Sequence, residues 1–449
     1  MTKVITYGTF DLFHEGHYSL LQRAKELGDY LIVGVTTEHF DEARGKVNVI
    51  DSIMERIDNV RRTGFADEII VEDHEGQKIE DIQKYGVDIF TLGSDWDGTY
   101  DYLRAFCKVV YLDRTPNISS TELRKNKFKI IRIGIVGTGR IAPRFVEEAK
   151  FVSGAMITGA YNPIKSGVKK FTRRCDVNIY TDQYEKFLKE VDAVYIASPH
   201  DTHYDYAKKA ITEGKHVLCE KPMTFTKVEA EELFALARQK KVVLMEGIKT
   251  AYCPGFLQMM NIAKSGKIGE IRDVEACFSR IADVNSREMT DAKYGGAFLE
   301  YGGYPLLPII KLFGLNYEQI QIDTIPAESG IDLYTKIHMR YANGFGMAKM
   351  GVGVKSEGQL IIAGTKGYIL AESPWWLTKK FEIRYEDANK VELFQPRFQG
   401  DGLRYEISEF VSKINGYMGN EYKLTAEESI AMADIVEKFL AQRKQEQGV

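Results

Sequence analysis

"IRIGIVGTGRIAPRF" occupies residues 131–145 and decides how this chain is divided. A run rich in Ile ends in Gly137 and Gly139, and Ala142 follows where an amphipathic segment begins. Strand, glycine turn and helix in that order form the GxGxxA pattern, which brings a backbone close to a pyrophosphate at a helix N-terminus. GxGxxA alone is a weak signal, but its placement between strand and helix strengthens it. Because this unit starts only at residue 131, the residues before it form a separate body.

Those residues alternate short Val- and Ile-rich runs ("KVITYG", "YLIVGVTT", "DEIIVED", "VDIFTLGS", "KVVYLD") with helical stretches. The rhythm predicts βαβ units around a parallel sheet. It ends near "STELRKNK" at 120–127, so the linker to the second series is short. Downstream, "AMITGAYN", "AVYIASP", "KHVLCE" and "VVLMEG" continue a second βαβ series. After about residue 250 the texture changes to longer amphipathic strands without helices between them, which predicts an open, mostly antiparallel sheet. Two helical segments, "LRYEISEFVSKI" and "TAEESIAMADIVEKFLAQRK", follow. The expected fold is α/β in three domains: 1–127, a Rossmann-like nucleotide domain; 128–250, a dinucleotide-binding domain; 251–449, an α+β substrate and oligomerisation domain.

Composition fits this reading. The chain has 449 residues, 44% hydrophobic and 28% charged, with a formal charge of −4, so nothing points to nucleic acid. No stretch approaches the ~20 apolar residues of a membrane helix, and the N-terminus opens on a strand-like run rather than a signal peptide. Five scattered cysteines (107, 175, 219, 253 and 277) with no CxxC argue against disulfides or a zinc site. The expected setting is the cytoplasm.

Two stretches carry the first candidate chemistry. In "TYGTFDLFHEGHYSLL" (6–21), His14 and His17 stand at a helix start just after a strand, and Gly8 and Gly16 permit close approach of a ligand. Paired imidazoles there can donate to charge developing on an α-phosphate; the alternative is a pair of capping or surface histidines. In "RTPNISSTELR" (114–124), hydroxyls at a helix start with an Arg one turn on can hold a polyphosphate. Together with "GSDWDG" at 93–98, these motifs resemble the cytidylyltransferases, especially the bacterial glycerol-3-phosphate cytidylyltransferases, over residues 1–127. The resemblance implies that His14 and His17 stabilise the pentacoordinate α-phosphorus of CTP and that Arg44 and Lys46 hold its outer phosphates. It further implies a CTP cradle of Gly8, Thr9, Phe10, Arg114, Ser119, Ser120, Thr121 and Arg124. Asp11 would lie by the alditol hydroxyls and Arg56 by the phosphates of the alditol phosphate. Mg²⁺ would travel with CTP, without a direct protein ligand.

The second candidate site begins at Gly137, Gly139, Arg140 and Ile141. No carboxylate stands about 20 residues on, where a ribose partner is usual; "GAYNPIKSG" (159–167) has Tyr161 and Asn162 instead. Without that charge a 2′-phosphate is not repelled, and Lys165 and Ser166 can approach it, so NADP is favoured over NAD. "ASPHDTHYDYA" (197–207), "HVLCEKP" (216–222) and "GGAFLEYGGYPLLPII" (295–310) complete a constellation that resembles the glucose–fructose oxidoreductase and inositol dehydrogenase family. The resemblance covers about 130–445. It implies a cofactor site including Asn162, Lys165, Ser198, Pro199, His200, His203, Glu220 and Lys221, with Pro222 the proline of the EKP motif.

Glu300 and Tyr304 stand where the family places Asp and, four residues on, His or Tyr. At helical spacing both would converge on Lys221. Tyr304 would protonate a carbonyl oxygen, with Lys221 lowering its pKa. The bland alternative is that Tyr304 only packs and Glu300 only pairs with Lys221; His203 reads as structural.

Joined in one chain, the halves suggest reduction of a sugar or keto phosphate to an alditol phosphate, then CTP-dependent conversion to a CDP-alditol for teichoic-acid-like or capsular polymers. Two alternatives stand beside this. In one the oxidoreductase acts on a CDP-linked or unrelated sugar; in the other the second half is a non-catalytic NAD(P)-binding regulator. Both families imply homo-oligomers, dimeric or tetrameric.

Overall fold

In a computed structural model the described residues are 1–447 apart from 12, 14, 38–39, 42–48, 50, 52, 75, 114–129, 176, 178, 397 and 417–422. They form two compact units, Met1–Ile130 with Phe151–Gly154, and Ile131–Lys150 with Ala155–Val449.

In the first unit, β1 (Lys3–Gly8), β2 (Tyr30–Thr36), β3 (Glu68–Glu72), β4 (Ile89–Gly93) and β5 (Lys108–Leu112) pair in parallel in the order β3-β2-β1-β4-β5. Successive residues of β1 feed opposite faces: Ile5 and Tyr7 join one core with Ile32 and Phe90, whereas Val4 joins the other with Leu31, Val33 and Leu21. Burial on both faces is what a parallel sheet requires. Gly34 on β2 is forced by packing, since a Cβ there would lie 2.2 Å from the Tyr7 ring.

The second unit holds two sheets. β6 (Ile131–Val136), β7 (Ala155–Tyr161), β8 (Ile179–Thr181), β9 (Ala193–Ile196), β10 (His216–Glu220) and β11 (Leu244–Gly247) pair in parallel in the order β11-β10-β9-β6-β7-β8. The strand order reverses between β6 and β9, and such a switch opens a crevice at the strand ends.

The larger sheet runs β13-β14-β15-β12-β16-β17-β18-β19, from β12 (Ile271–Ser279), β13 (Gln319–Pro326), β14 (Asp332–Tyr341), β15 (Gly344–Gly351), β16 (Leu360–Gly364), β17 (Tyr368–Ala371), β18 (Phe381–Arg384) and β19 (Val391–Phe394). Its pairs are antiparallel except β12 with β15. β14 shows why one face is covered: Ile337, Met339 and Tyr341 are buried, while Lys336, His338 and Arg340 between them are exposed.

Both sheets belong to the second compact unit. The helix Ala426–Glu446, started by a Thr425–Glu428 capping box, returns to the first sheet and places Ala433 in its core. Arg404, on the helix Leu403–Ile414, forms a buried pair with Glu148 at 2.8 Å. The C-terminal helices therefore staple both sheets into one body.

Candidate functional site

In the first unit, β1 ends at Gly8 and the chain turns through Thr9, Phe10 and Asp11. Phe10 has φ of 52°, left-handed backbone that costs a non-glycine residue roughly 1–2 kcal/mol. Its buried ring meets the His17 ring edge-on at 5.5 Å, and Phe13 lies 5.5 Å from the same imidazole. His17 is thus wedged between two aromatic rings in the first turn of the helix Glu15–Lys25.

Behind this turn lies a polar hub. Asp41 accepts from Thr9 Oγ1 at 2.8 Å and Thr36 Oγ1 at 2.6 Å. Arg56 donates through Nη1 to the carbonyls of Thr9 (2.9 Å) and Thr36 (2.7 Å) and through Nε to Asp51 (2.9 Å). Asp11 accepts from the Asp51 N–H at 2.9 Å. Arg56, expected beside a phosphate, is 0% exposed, and its described bonds include those to protein oxygens. It braces the ends of β1 and β2, because a buried guanidinium must spend its donors on carbonyls. Asp41, its partner, carries no motif and was missed by sequence reading. His14, Arg44, Lys46, Arg114, Ser119, Ser120, Thr121 and Arg124 lie outside the described residues.

In the second unit, Gly137 follows β6 with φ of 91°, and a Cβ there would stand 2.6 Å from the Ala197 carbonyl oxygen. Gly139 has only that oxygen nearby, at 3.8 Å, so the turn keeps an open backbone before the helix Ala142–Ala149. These features fit a dinucleotide pyrophosphate. Asn162, just after β7, donates to Thr138 Oγ1 at 2.7 Å and so fastens the turn, while Lys165 and Ser166 are exposed nearby.

The loops after β9 and β10 are tied together by His203. One ring nitrogen is 2.9 Å from the Pro222 carbonyl oxygen and the other 3.0 Å from that of Ser198. Burial outweighs these two carbonyls and holds His203 below the ordinary imidazole range. His200 is pushed down as well, by burial first and then by its neighbours His203, Lys221 and Arg287. The peptide between Lys221 and Pro222 is cis. A small pocket lies beside it, lined among others by Lys221, Pro222, Glu246, Phe298 and Ser429. Glu246 Oε1 accepts from the Met223 N–H at 3.0 Å, and burial pushes its carboxyl up to about 7.

Lys221 and Tyr304 lie near one another. The ammonium lies 5.8 Å from the Tyr304 ring centroid and donates to the Glu300 carbonyl oxygen at 2.5 Å. Glu300 behaves differently from its expected role, meeting Lys221 through the main chain. Its carboxylate lies 3.8 Å from Arg140, whose guanidinium also bonds Glu288. Two short helices, Ala297–Tyr301 and Gly303–Phe313, replace one continuous helix across these residues. Lys221 was expected to lower the Tyr304 pKa, yet the phenol is raised well above its usual value. Burial is the main cause, followed by Glu220, Glu406 and Glu300. Tyr304 is therefore kept loaded with its proton. Glu220 is raised by burial, with Lys221 opposing, and accepts from the Tyr195 hydroxyl at 2.5 Å. Arg140, Glu288 and Glu300 bring together residues far apart in sequence, and no local signal marks Glu288.

Among the described residues no cluster of His, Cys, Asp and Glu is arranged to hold a metal, and no helix is long and apolar enough to cross a membrane.

Residues 5–126 match the family described as cytidylyltransferase-like, 131–248 the oxidoreductase family with an NAD-binding Rossmann fold, and 256–370 the GFO/IDH/MocA C-terminal domain. The glycerol-3-phosphate cytidylyltransferase of Bacillus spizizenii is 49% identical over 131 residues, covering 28% of this chain and 97% of the relative. The scyllo-inositol 2-dehydrogenase (NADP(+)) of Bacillus subtilis is 29% identical over 320 residues, covering 69% of this chain and 96% of the relative. A 3-ketoreductase from Actinomadura kijaniata, solved with NADP and TDP-benzene, superposes with a TM-score of 0.59 at 23% identity, covering 68% of this chain and 96% of that one; this likeness concerns the fold.

Proposed function

Since this chain belongs to the cytidylyltransferase family in its first unit and to the NAD(P)-dependent GFO/IDH/MocA oxidoreductases in its second, we propose that it makes a CDP-alditol in two steps. The second unit reduces a keto or sugar phosphate to an alditol phosphate, and the first transfers a cytidylyl group to that product. The observation carrying this reading is the 49% identity to a complete glycerol-3-phosphate cytidylyltransferase on the same chain as a paired Lys221 and Tyr304. Dihydroxyacetone phosphate, giving glycerol phosphate, is the smallest substrate that satisfies both units.

NADPH, when bound, supplies the hydride. Gly137, Gly139, Arg140 and Asn162 would hold it, and the NADP-dependent inositol dehydrogenase relative supports NADP over NAD. Lys221 polarises the carbonyl oxygen, and Tyr304 gives its phenolic proton to that oxygen as it becomes an alkoxide. In the first unit, a phosphate oxygen of the alditol phosphate attacks the α-phosphorus of CTP in line and pyrophosphate leaves. His17, held by Phe10 and Phe13, acts with His14 on the charge of the pentacoordinate centre, and Mg²⁺ enters with CTP. Such transfer depends on positioning, which can supply about 7–11 kcal/mol. The reaction belongs in the cytoplasm, where CTP and NADPH are found, and its product is an activated donor for an envelope polymer.

The test offers the full chain a panel of keto and sugar phosphates with NADPH, and separately alditol phosphates with CTP. NADPH oxidation on a carbonyl whose alditol phosphate also releases pyrophosphate supports the proposal. Pyrophosphate release with no NADPH oxidation on any carbonyl phosphate overturns the first step and turns attention to CDP-linked sugars or a regulatory second unit.

A further inference from the structure

Gly296 opens the helix Ala297–Tyr301 with a φ of 106° and brings no side chain to cap it. The cap comes from another strand. Asp332, the buried first residue of β14, accepts through Oδ2 from the Phe298 N–H at 2.8 Å and from Thr335 Oγ1 at 2.6 Å. A carboxylate oxygen on the second N–H of a helix does the work of an N-cap side chain. Its Oδ1 takes the space a side chain at 296 would need, because a Cβ there would stand 2.0 Å away. Buried Arg443, on the helix Ala426–Glu446, ties down the chain before this cap. It donates through Nη2 to the Ala292 carbonyl at 2.7 Å and through Nη1 to the Gly295 carbonyl at 3.1 Å. Its Nε donates to the carbonyl of Gly330, just before Asp332, at 3.0 Å. Phe439, one turn earlier on the same helix, stacks on the Phe298 ring with centroids 4.2 Å apart.

These contacts meet at Phe298, and both reacting side chains hang from it. Two residues on, the Glu300 carbonyl oxygen receives the Lys221 ammonium at 2.5 Å. The Phe298 carbonyl accepts from the Gly302 N–H at 2.7 Å, and Gly302 starts the helix Gly303–Phe313 that carries Tyr304. An unbroken path of covalent and hydrogen bonds therefore runs from Asp332 to Lys221 and, through Gly302, to the helix of Tyr304. We propose that Asp332 and Arg443 are positioning residues of the reductase site, setting the distance between Lys221 and Tyr304 through the turn at Phe298. This rests on the reductase reading above. Asp332 fixes where the turn begins, and Arg443 fixes the segment that leads into it. Neither exchanges a proton with substrate. Their effect falls on the chemical step, because a reacting pair displaced by about 1 Å can lose about 10²-fold in rate.

The test uses the full chain with NADPH and dihydroxyacetone phosphate, comparing Asp332→Ala and Asp332→Asn with wild type. Rates are taken per folded molecule, with the folded fraction from circular dichroism. Asp332→Ala should lower kcat about 10²-fold while NADPH affinity, by fluorescence titration, and pyrophosphate release from CTP and glycerol 3-phosphate stay at wild-type values. Asp332→Asn keeps an oxygen for the Phe298 N–H and should regain most of kcat. Wild-type kcat in Asp332→Ala, an Asn variant as slow as the Ala variant, or NADPH affinity falling in step with kcat overturns the proposal while leaving the reductase reading intact. Should Asp332→Ala fail to fold, Arg443→Gln, which keeps the cap but releases the Ala292 and Gly295 carbonyls, should lower kcat with NADPH affinity unchanged; wild-type kcat there refutes the role. A wild-type protein that reduces no carbonyl phosphate overturns both this proposal and the reductase reading.

Discussion

Lys221 was legible because the motif "HVLCEKP" sets it at a strand end, and Tyr304 because the spacing in "GGAFLEYGGYPLLPII" sets it opposite. What the letters do not convey is side-chain direction. Glu300 offers Lys221 its carbonyl while its carboxylate faces Arg140, a choice made by residues 160 positions away in the chain. If Lys221 and Tyr304 act as described, Lys221→Ala and Tyr304→Phe should each lower reductase turnover by about 10²–10⁴-fold, with pyrophosphate release from CTP and glycerol 3-phosphate unchanged. Steady-state rates of the two reactions on one preparation check this.

Glu246 supports a stability prediction. Burial raises its folded pKa to about 7, above the ordinary glutamate value of 4.5. The folded state therefore holds a proton that the unfolded state releases, so stability should fall as pH rises from about 4.5 through 7 and then level off. A shift of that size amounts to roughly 3 kcal/mol. Glu246→Gln should flatten this dependence, raising the melting temperature relative to wild type at pH 8 more than at pH 5; equal shifts at both pH values would contradict it.

Among the elements, the alternation of strand and helix along the first 250 residues was readable because βαβ units repeat a simple rhythm. The larger sheet was readable because β14 alternates buried and exposed side chains. The return of the helix Ala426–Glu446 to a sheet formed two hundred residues earlier was not, because no local pattern announces a return of that length. Asp41 in the Arg56–Asp41 hub was hidden for the same reason: it stands in no motif and its partner lies 15 residues on. The turn after β6 makes the clearest prediction. Gly137→Ala must adopt a φ of 91° and bring a methyl to 2.6 Å from the Ala197 carbonyl oxygen. It should abolish NADPH binding by fluorescence titration and destabilise by about 1–3 kcal/mol or more. Cytidylyl transfer, which depends on other strands, should persist. Wild-type NADPH affinity in this variant would refute the placement of the cofactor.

For the whole molecule, the chain joins a cytidylyltransferase unit to an oxidoreductase unit, and the proposed function has them meet in one intermediate, an alditol phosphate made by one and consumed by the other. On that proposal, a covalent link between the units would raise the effective concentration of the intermediate at the second site. The most direct test follows both reactions in a single vessel containing the full chain, dihydroxyacetone phosphate, NADPH, CTP and Mg²⁺. The account predicts one pyrophosphate released and one CDP-glycerol formed for each NADPH oxidised, with no pyrophosphate when NADPH is omitted. NADPH left unoxidised across the carbonyl phosphates, while supplied glycerol 3-phosphate is still converted by CTP, would contradict it.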